Sequence, residues 1–434
     1  MLSALCLVCT LGSHAVATSD VTIVGRHRVT PNATLFDFQG VRITASLNGS
    51  EAQALMFQAG NGPANHFIVT VDGVRVGDGP LSFTTAEWPR GEASVVTVPL
   101  FSGLSAGVHE VVIEKTSEPA FNARDVAPDY VGFVGFTGAS TVSVPRLRSS
   151  RRVEFLGDSI TAGFCNLCDT AGSVPTSFPC SSHSRFRAPH VRYDVAYESF
   201  ALSWANLACV QLGAECHTAA WSGFGMVRNC CGGQTLMSDV WKRTLATVPS
   251  SNSSDPHATT PENEWDFRSW RPDAVVIHLG TNDYLRSTTP ELVSSFNATY
   301  LELVLAAHEA YSMGEDSIGP TFFLACGLMS SDYCPKVEWI IDQVGLRGVH
   351  AVLLNQGVKR LVNQTGRLVN QTGFACSCCG HPGSVAHAAM ADAAVALIRS
   401  TMHWTDDRAE GNRPQQVANP KLVVSKVVRG RSFE

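Results

Sequence analysis

The chain has 434 residues, 44% hydrophobic and 16% charged, which is the balance of a soluble globular protein with length enough for two domains. A formal net charge of −6 argues against a nucleic-acid or anionic-membrane surface as the main partner. Past the N-terminal leader, no stretch approaches the roughly 18 consecutive apolar residues that a membrane span needs.

Residues 2–12 are apolar, and Ala15-Val16-Ala17 forms an A-x-A cleavage pattern before Thr18, so residues 1–17 read as a secretory signal peptide, although without a basic start. Six N-x-S/T sequons, at Asn32, Asn48, Asn252, Asn297, Asn363 and Asn370, agree with export. Cys6 and Cys9 belong to the leader, and the other twelve cysteines run from Cys165 to Cys379, an even number. In an oxidising compartment they would pair, each bridge contributing roughly 2–4 kcal/mol, with a connectivity that spacing alone does not give. Cys165-Asn-Leu-Cys168, Cys230-Cys231 and Cys376-Ser-Cys378-Cys379 raise zinc as an alternative, but their spacing matches no standard finger.

Residues 18–148 read as β-structure. The stretch 35–47 alternates apolar and polar side chains, and 66–76 holds two short strands around the turn signal Asp72-Gly73. Two further runs, 93–101 and 108–115, are separated by a glycine-rich turn. Short strands with turns between them indicate a sandwich or jelly roll. A junction rich in Arg and Ser follows at 146–152, and from there to residue 405 strand and helix alternate. Strands are expected at 153–156, 216–220, 274–279, 321–325 and 351–354, and helices at 199–212, from Pro290 onward, and at 384–400. This alternation implies an α/β unit, a parallel sheet covered by helices with its site beyond the carboxyl ends of the strands. Residues 360–366 and 367–373 repeat Arg-Leu-Val-Asn-Gln-Thr-Gly, a local duplication, and 406–434 read as a loose tail.

Four short blocks carry chemistry. Gly157-Asp158-Ser159-Ile160-Thr161 follows the first strand of the α/β unit and holds a serine outward at a strand-to-loop junction, where its hydroxyl needs a base to act as a nucleophile. In Trp221-Ser222-Gly223-Phe224-Gly225, glycine lets a backbone N–H come close to a substrate oxygen. Leu279-Gly280-Thr281-Asn282-Asp283 closes the most apolar strand and offers an amide donor at Asn282. Gly380-His381-Pro382-Gly383 opens the last helix, and the proline restricts the backbone at His381. Each block by itself is commonplace, a turn, a cap or a loop. Their joint order, Ser, Gly, Asn, His, the first three each just after a strand, is far more specific.

That pattern resembles the four blocks of the SGNH (GDSL-type) hydrolase superfamily. With a β-rich N-terminal part and Ser-Gly-x-Gly-x-x-Arg-Asn at Ser222 to Asn229, the chain is most similar to carbohydrate esterase family 2, over roughly Val24 to Trp404. The resemblance implies a jelly-roll β-sandwich followed by a three-layer α/β/α domain, and removal of acetyl groups from polysaccharides. It makes Ser159 the nucleophile, His381 the general base, and the N–H groups of Ser159 and Gly223 with the Asn282 side chain the oxyanion hole, Gly225 being the near alternative to Gly223. It departs from the family where an Asp commonly precedes the histidine: Cys378 and Cys379 stand there, so a Ser–His dyad with a backbone carbonyl holding the imidazole is expected, against a weakened enzyme.

The implied partner is an acetylated polysaccharide or oligosaccharide, and neither metal nor organic cofactor is required. Trp221 and Tyr284 are candidates to pack against a sugar ring, or else core aromatics; Asp158 and Asp283 are expected to support their loops, and cysteine pairs to pin loops around the site. Rival readings are an esterase or lipase for other acyl groups, a sugar acetyltransferase, and a carbohydrate-binding protein without turnover.

Overall fold

The computed structural model describes residues 20–79, 81–119, 128–144, 149–167, 198–248, 258–312, 318–356 and 381–405. The leader, the tandem heptapeptide, Cys378, Cys379 and the C-terminal tail lie outside them. The N-terminal part is an antiparallel sheet of β1 (Val21–Val24), β2 (Arg28–Val29), β3 (Thr34–Phe36), β4 (Arg42–Gln58), β5 (His66–Val71), β6 (Val74–Arg75), β7 (Phe83–Thr84), β8 (Val96–Lys115), β9 (Val131–Thr137) and β10 (Ser140–Thr141). Its main path is β2-β3-β9-β4-β8-β5-β6. Inward residues of β4, β5, β8 and β9, among them Ile43, Met56, Phe67, Val111 and Phe133, form one apolar core.

The hairpin expected at 66–76 is present, and Asp72 (φ 51°) and Gly73 (φ 77°) supply the two positive φ angles of a tight turn. Two other expectations are corrected. The runs 93–101 and 108–115 are one strand, β8: its partner β4 continues past the glycines, pairing Gly49 with Gly107 and then Glu51 with Ser102. Residues 103–106 therefore bulge opposite Ser50 and do not turn the chain. The run 35–47 is divided between β3 and β4, because Gly40 takes φ 75° where the chain meets the other half of the molecule; a Cβ there would lie 2.5 Å from the Phe200 ring.

The second part is the expected α/β unit. β11 (Arg152–Gly157), β12 (Glu215–Ala220), β13 (Ala274–His278), β14 (Thr321–Cys326) and β15 (Val349–Leu353) form a wholly parallel sheet in the order β12-β11-β13-β14-β15. Side chains alternate across it. Val153, Phe155, Val276 and Phe323 pack on one face against α2 (Trp204–Leu212) and α7 (Ser384–Met402). Leu156, Ile277, Phe322 and Leu324 pack on the other against α5 (Pro290–Tyr311) and α6 (Cys334–Gln343). The start of α5 is the one its sequence predicts: the Thr289 hydroxyl accepts the Leu292 N–H at 3.3 Å, with Pro290 in the first turn. Phe296, Tyr300, Leu303, Val304, Ala307 and Tyr311 then recur at helical spacing on its buried face. The helix expected at 199–212 is split, because Ser203 ends a 3₁₀ turn and its hydroxyl caps α2. Three disulfides join described cysteines, Cys209–Cys216, Cys230–Cys231 and Cys326–Cys334, so the pair raised as a zinc ligand is bonded to itself.

The two parts are joined by buried polar groups. Arg26, ahead of β2, pairs with Glu154 on β11 at 2.6 Å, both wholly buried, and donates to the carbonyls of Trp241 and Arg243. The Tyr311 hydroxyl donates to the other Glu154 oxygen. The Asp37 carboxylate accepts the N–H groups of Ala246 and Thr247 at 2.9 and 2.8 Å, and the Gln39 amide donates to Ala220 O at 3.1 Å. A buried pair of this kind is costly to break, since the partner left behind keeps its charge without water. Arg26→Met is expected to destabilise the protein by about 3–5 kcal/mol in denaturant unfolding, and Arg26→Met with Glu154→Leu by less.

Candidate active site

β11 is the middle of three strands that end level: Gly157 pairs with Ala220 of β12 and with His278 of β13. The blocks after each strand therefore emerge side by side. Between β12 and β13 the chain leaves β11 in opposite directions, the place where a parallel sheet opens a crevice.

Beyond β11, Asp158 caps the single-turn helix α1 (Ser159–Ala162), its Oδ1 accepting the Ile160 N–H at 3.0 Å. Gly163 ends that turn at φ 90°. Gly157 is glycine by necessity, since a Cβ would meet Thr161 Oγ1 at 2.2 Å. The result holds Ser159 at the top of the sheet. His381, just ahead of α7, meets it there: His381 Nε2 and Ser159 Oγ are 2.8 Å apart. Both are sequestered, 9% and 4% exposed, and the Phe164 ring lies against the imidazole with centroids 4.5 Å apart.

The Gly223 block is held by a dense set of hydrogen bonds. Trp221 N–H donates to Gly157 O at 3.2 Å, Ser222 N–H to Glu118 Oε2 at 2.5 Å, and Gly225 N–H to Asn229 Oδ1 at 2.9 Å. The Asp283 carboxylate accepts the N–H groups of Met226, Val227 and Arg228 at 3.0, 2.8 and 2.9 Å. The Arg228 guanidinium returns to the carbonyls of Asp283 and Arg286. Gly225 has no room for a side chain, a Cβ falling 2.2 Å from Arg228 O. Gly223, by contrast, stands at φ 83° against Cys230 Sγ, and its N–H donates to no acceptor among the described residues; nor does that of Ser159. The Asn282 amide donates to Phe224 O at 2.7 Å and has only a long second contact, 3.5 Å to Asp158 Oδ2. The N–H groups of Ser159 and Gly223 are thus left without an acceptor among the described residues, and one hydrogen of the Asn282 amide is only loosely engaged.

Burial pushes the Asp158 carboxyl up to about 7, with the neighbouring Asp283 adding and the Ile160 N–H and Thr281 hydroxyl opposing. Burial likewise raises Asp283 against its three N–H bonds. Both act on their own loops, as expected for Asp158 and Asp283. Behind the site, His387 is wholly buried and its Nδ1 accepts the Trp204 N–H at 3.0 Å. Burial, with His381 and His278 near, lowers it to about 3, and burial lowers His278 to about 4.

The structure thus joins Ser159 and His381 by a hydrogen bond, and ties the Gly223 and Asn282 loops to the Ser159 loop through Trp221 to Gly157 and Asn282 to Asp158. For Trp221 and Tyr284 it favours the second of the two expectations. They are core side chains, 2% and 8% exposed: Trp221 is stacked under Phe224 at 4.3 Å, and Tyr284 packs edge-on against Phe296. Phe224, half-buried, stacks on Trp221 and packs against the same core. Phe164, Glu118 and His387 were not singled out from sequence. No local signal marks them, for they reach the site only through long-range packing. Among the described residues no group of three His, Cys, Asp or Glu side chains is arranged to hold a metal ion.

No protein-family model matches the chain. It is 26% identical over 282 residues to the cellulase/esterase CelE of Acetivibrio thermocellus, a match covering 65% of this chain and 28% of CelE. It is 25% identical over 213 residues to an acetylxylan esterase/glucomannan deacetylase of Cellvibrio japonicus, covering 47% of this chain and 50% of that one. The chain thus spans half or less of the length of these relatives. Its fold matches that of a family two carbohydrate esterase from Clostridium thermocellum, solved in complex with cellohexaose, with a TM-score of 0.65 at 24% identity over 89% of this chain and 100% of the other. In sequence and in fold, the chain is like the family 2 carbohydrate esterases.

The buried histidines give the site a pH signature. In the folded protein His387 stays neutral down to about 3, whereas in the unfolded chain it takes up a proton below 6.5. Stability from this group is full above 6.5 and is lost as pH falls toward 3. Replacing it by His387→Gln, which keeps an acceptor for Trp204, is expected to remove about 2 kcal/mol of the stability lost between pH 7 and pH 5, read from urea midpoints.

Proposed function

We propose that the chain is a secreted serine esterase that hydrolyses O-acetyl esters of polysaccharides through an acyl-enzyme on Ser159. The observation that carries this is the 2.8 Å approach of His381 Nε2 to Ser159 Oγ, both buried, with the N–H groups of Ser159 and Gly223 lacking an acceptor among the described residues. The name of one relative, an acetylxylan esterase/glucomannan deacetylase, supports acetylated xylan or glucomannan as the substrate.

In the first step His381 Nε2 takes the Ser159 proton as Oγ attacks the acetyl carbonyl. The carbonyl oxygen, now negative, is held by the N–H groups of Ser159 and Gly223 and by the Asn282 amide. The imidazolium then gives its proton to the departing sugar oxygen, leaving acetyl on Ser159. Water, deprotonated by His381, attacks in its turn; acetate leaves, and Ser159 recovers its proton. The pair acts as a dyad, the imidazole held by a backbone carbonyl where other family members have an Asp. Residues 18–148 form the jelly-roll β-sandwich and 149–405 the SGNH catalytic domain, after a signal peptide at 1–17. Of the three sequons among the described residues, Asn32 and Asn48 are exposed, in agreement with export, whereas Asn297 is half-buried within α5. No helix among the described residues is long and apolar enough to cross a membrane.

Acetate release from acetylated xylan and acetylated glucomannan tests the reading. The parent is expected to release acetate, and Ser159→Ala and His381→Ala to lose activity by roughly 10⁴-fold or more. A folded parent that releases none from either polymer or from 4-nitrophenyl acetate would end it. Asn282→Ala is expected to lower kcat by about 10²–10³-fold with little change in KM, because its donor counts most in the transition state.

A further inference from the structure

The Ser222 end of the oxyanion loop is anchored from the other half of the molecule. Glu118 lies three residues past the end of β8, is buried, and receives the Ser222 N–H on Oε2 at 2.5 Å. Ser222 is itself buried and directly precedes Gly223. The remaining anchors of the loop, Gly157 O, Asn229 and Asp283, all belong to the α/β half. Glu118 is in turn held at both ends of its backbone: its N–H donates to Glu198 Oε1 at 2.6 Å, and Lys115 Nζ donates to its carbonyl at 3.1 Å. Without its carboxyl, the Ser222 amide would be a buried donor with no acceptor, and the peptide carrying it would turn to find one.

We propose that Glu118 is a positioning residue for ester hydrolysis, fixing Ser222 so that the Gly223 N–H is held ready for the oxyanion. The β-sheet half then supplies part of the catalytic architecture and is more than a carbohydrate-binding appendage. This rests on the esterase reading above. What Glu118 contributes is an acceptor oxygen. Burial and then the adjacent Glu198 drive its carboxyl well above the usual carboxylate range, so a neutral amide oxygen can take its place.

The test uses the full chain, with kcat and KM on 4-nitrophenyl acetate and a thermal melt for each variant. Glu118→Ala and Glu118→Asp, which remove or withdraw the oxygen, are expected to lower kcat by about 10–100-fold with KM within about 3-fold, as for a misplaced oxyanion donor. Glu118→Gln, which restores an acceptor at the same reach, is expected to stay within about 3-fold of the parent. If Glu118→Ala fails to fold, the Asp and Gln variants decide. Folded Ala or Asp variants with parental kcat overturn the proposal, as does a Gln variant as slow as Asp. In each case a parent that Ser159→Ala still silences leaves the esterase reading standing. A parent without hydrolysis overturns both.

Discussion

The site depends on one constraint of register. Three parallel strands end at the same level, with Gly157 beside Ala220 on one side and His278 on the other. Parallel hydrogen bonding fixes that level, and burial of both sheet faces locks it, because a slip of one residue would turn Phe155, Val276 and Phe323 away from their helices. From three level ends, short loops can reach one point only if they are stiff. The stiffness comes from Asp158 capping one turn and Asp283 gathering three consecutive N–H groups of the next loop. His381, delivered by α7 from far along the chain, closes the group.

The same strand that carries Ser159 is tied to the N-terminal sheet. Glu154 sits four residues before Asp158 on β11 and is held by Arg26 and Tyr311, while Gln39 binds the last residue of β12. These contacts are polar and buried, so they are directional and costly to rearrange. A purely apolar junction would allow the halves to slide; this one sets the N-terminal sheet against the strand ends in one orientation. That orientation brings the end of β8 to the Ser222 loop.

The local features were legible because they are written locally. Strands buried on both faces appear as continuous apolar runs, as at 274–279, and the start of α5 is announced by Thr289-Pro290. The four blocks kept their order and position because each is a turn bound to the strand or helix beside it. Continuity of β8 was not legible: Gly103 at φ 73° reads as a turn, and only its pairing with β4 keeps the strand running. Trp221 and Tyr284 stand next to site residues in sequence, yet side chains on a short loop alternate between the crevice and the core, and these two fell to the core.

By itself the sequence determined the parallel strands of the α/β unit, the start of α5 and which residue types could act as nucleophile, base and donors, since propensity, periodicity and turn chemistry act over a few neighbouring residues. Only the tertiary structure decided that Ser159 and His381, 222 positions apart, share a hydrogen bond, that the Gly223 N–H is left without an acceptor among the described residues, and that a glutamate from the opposite half holds the loop. Those are outcomes of packing between distant segments, where the available acceptors are set by which surfaces meet, and no short stretch of chain contains that information.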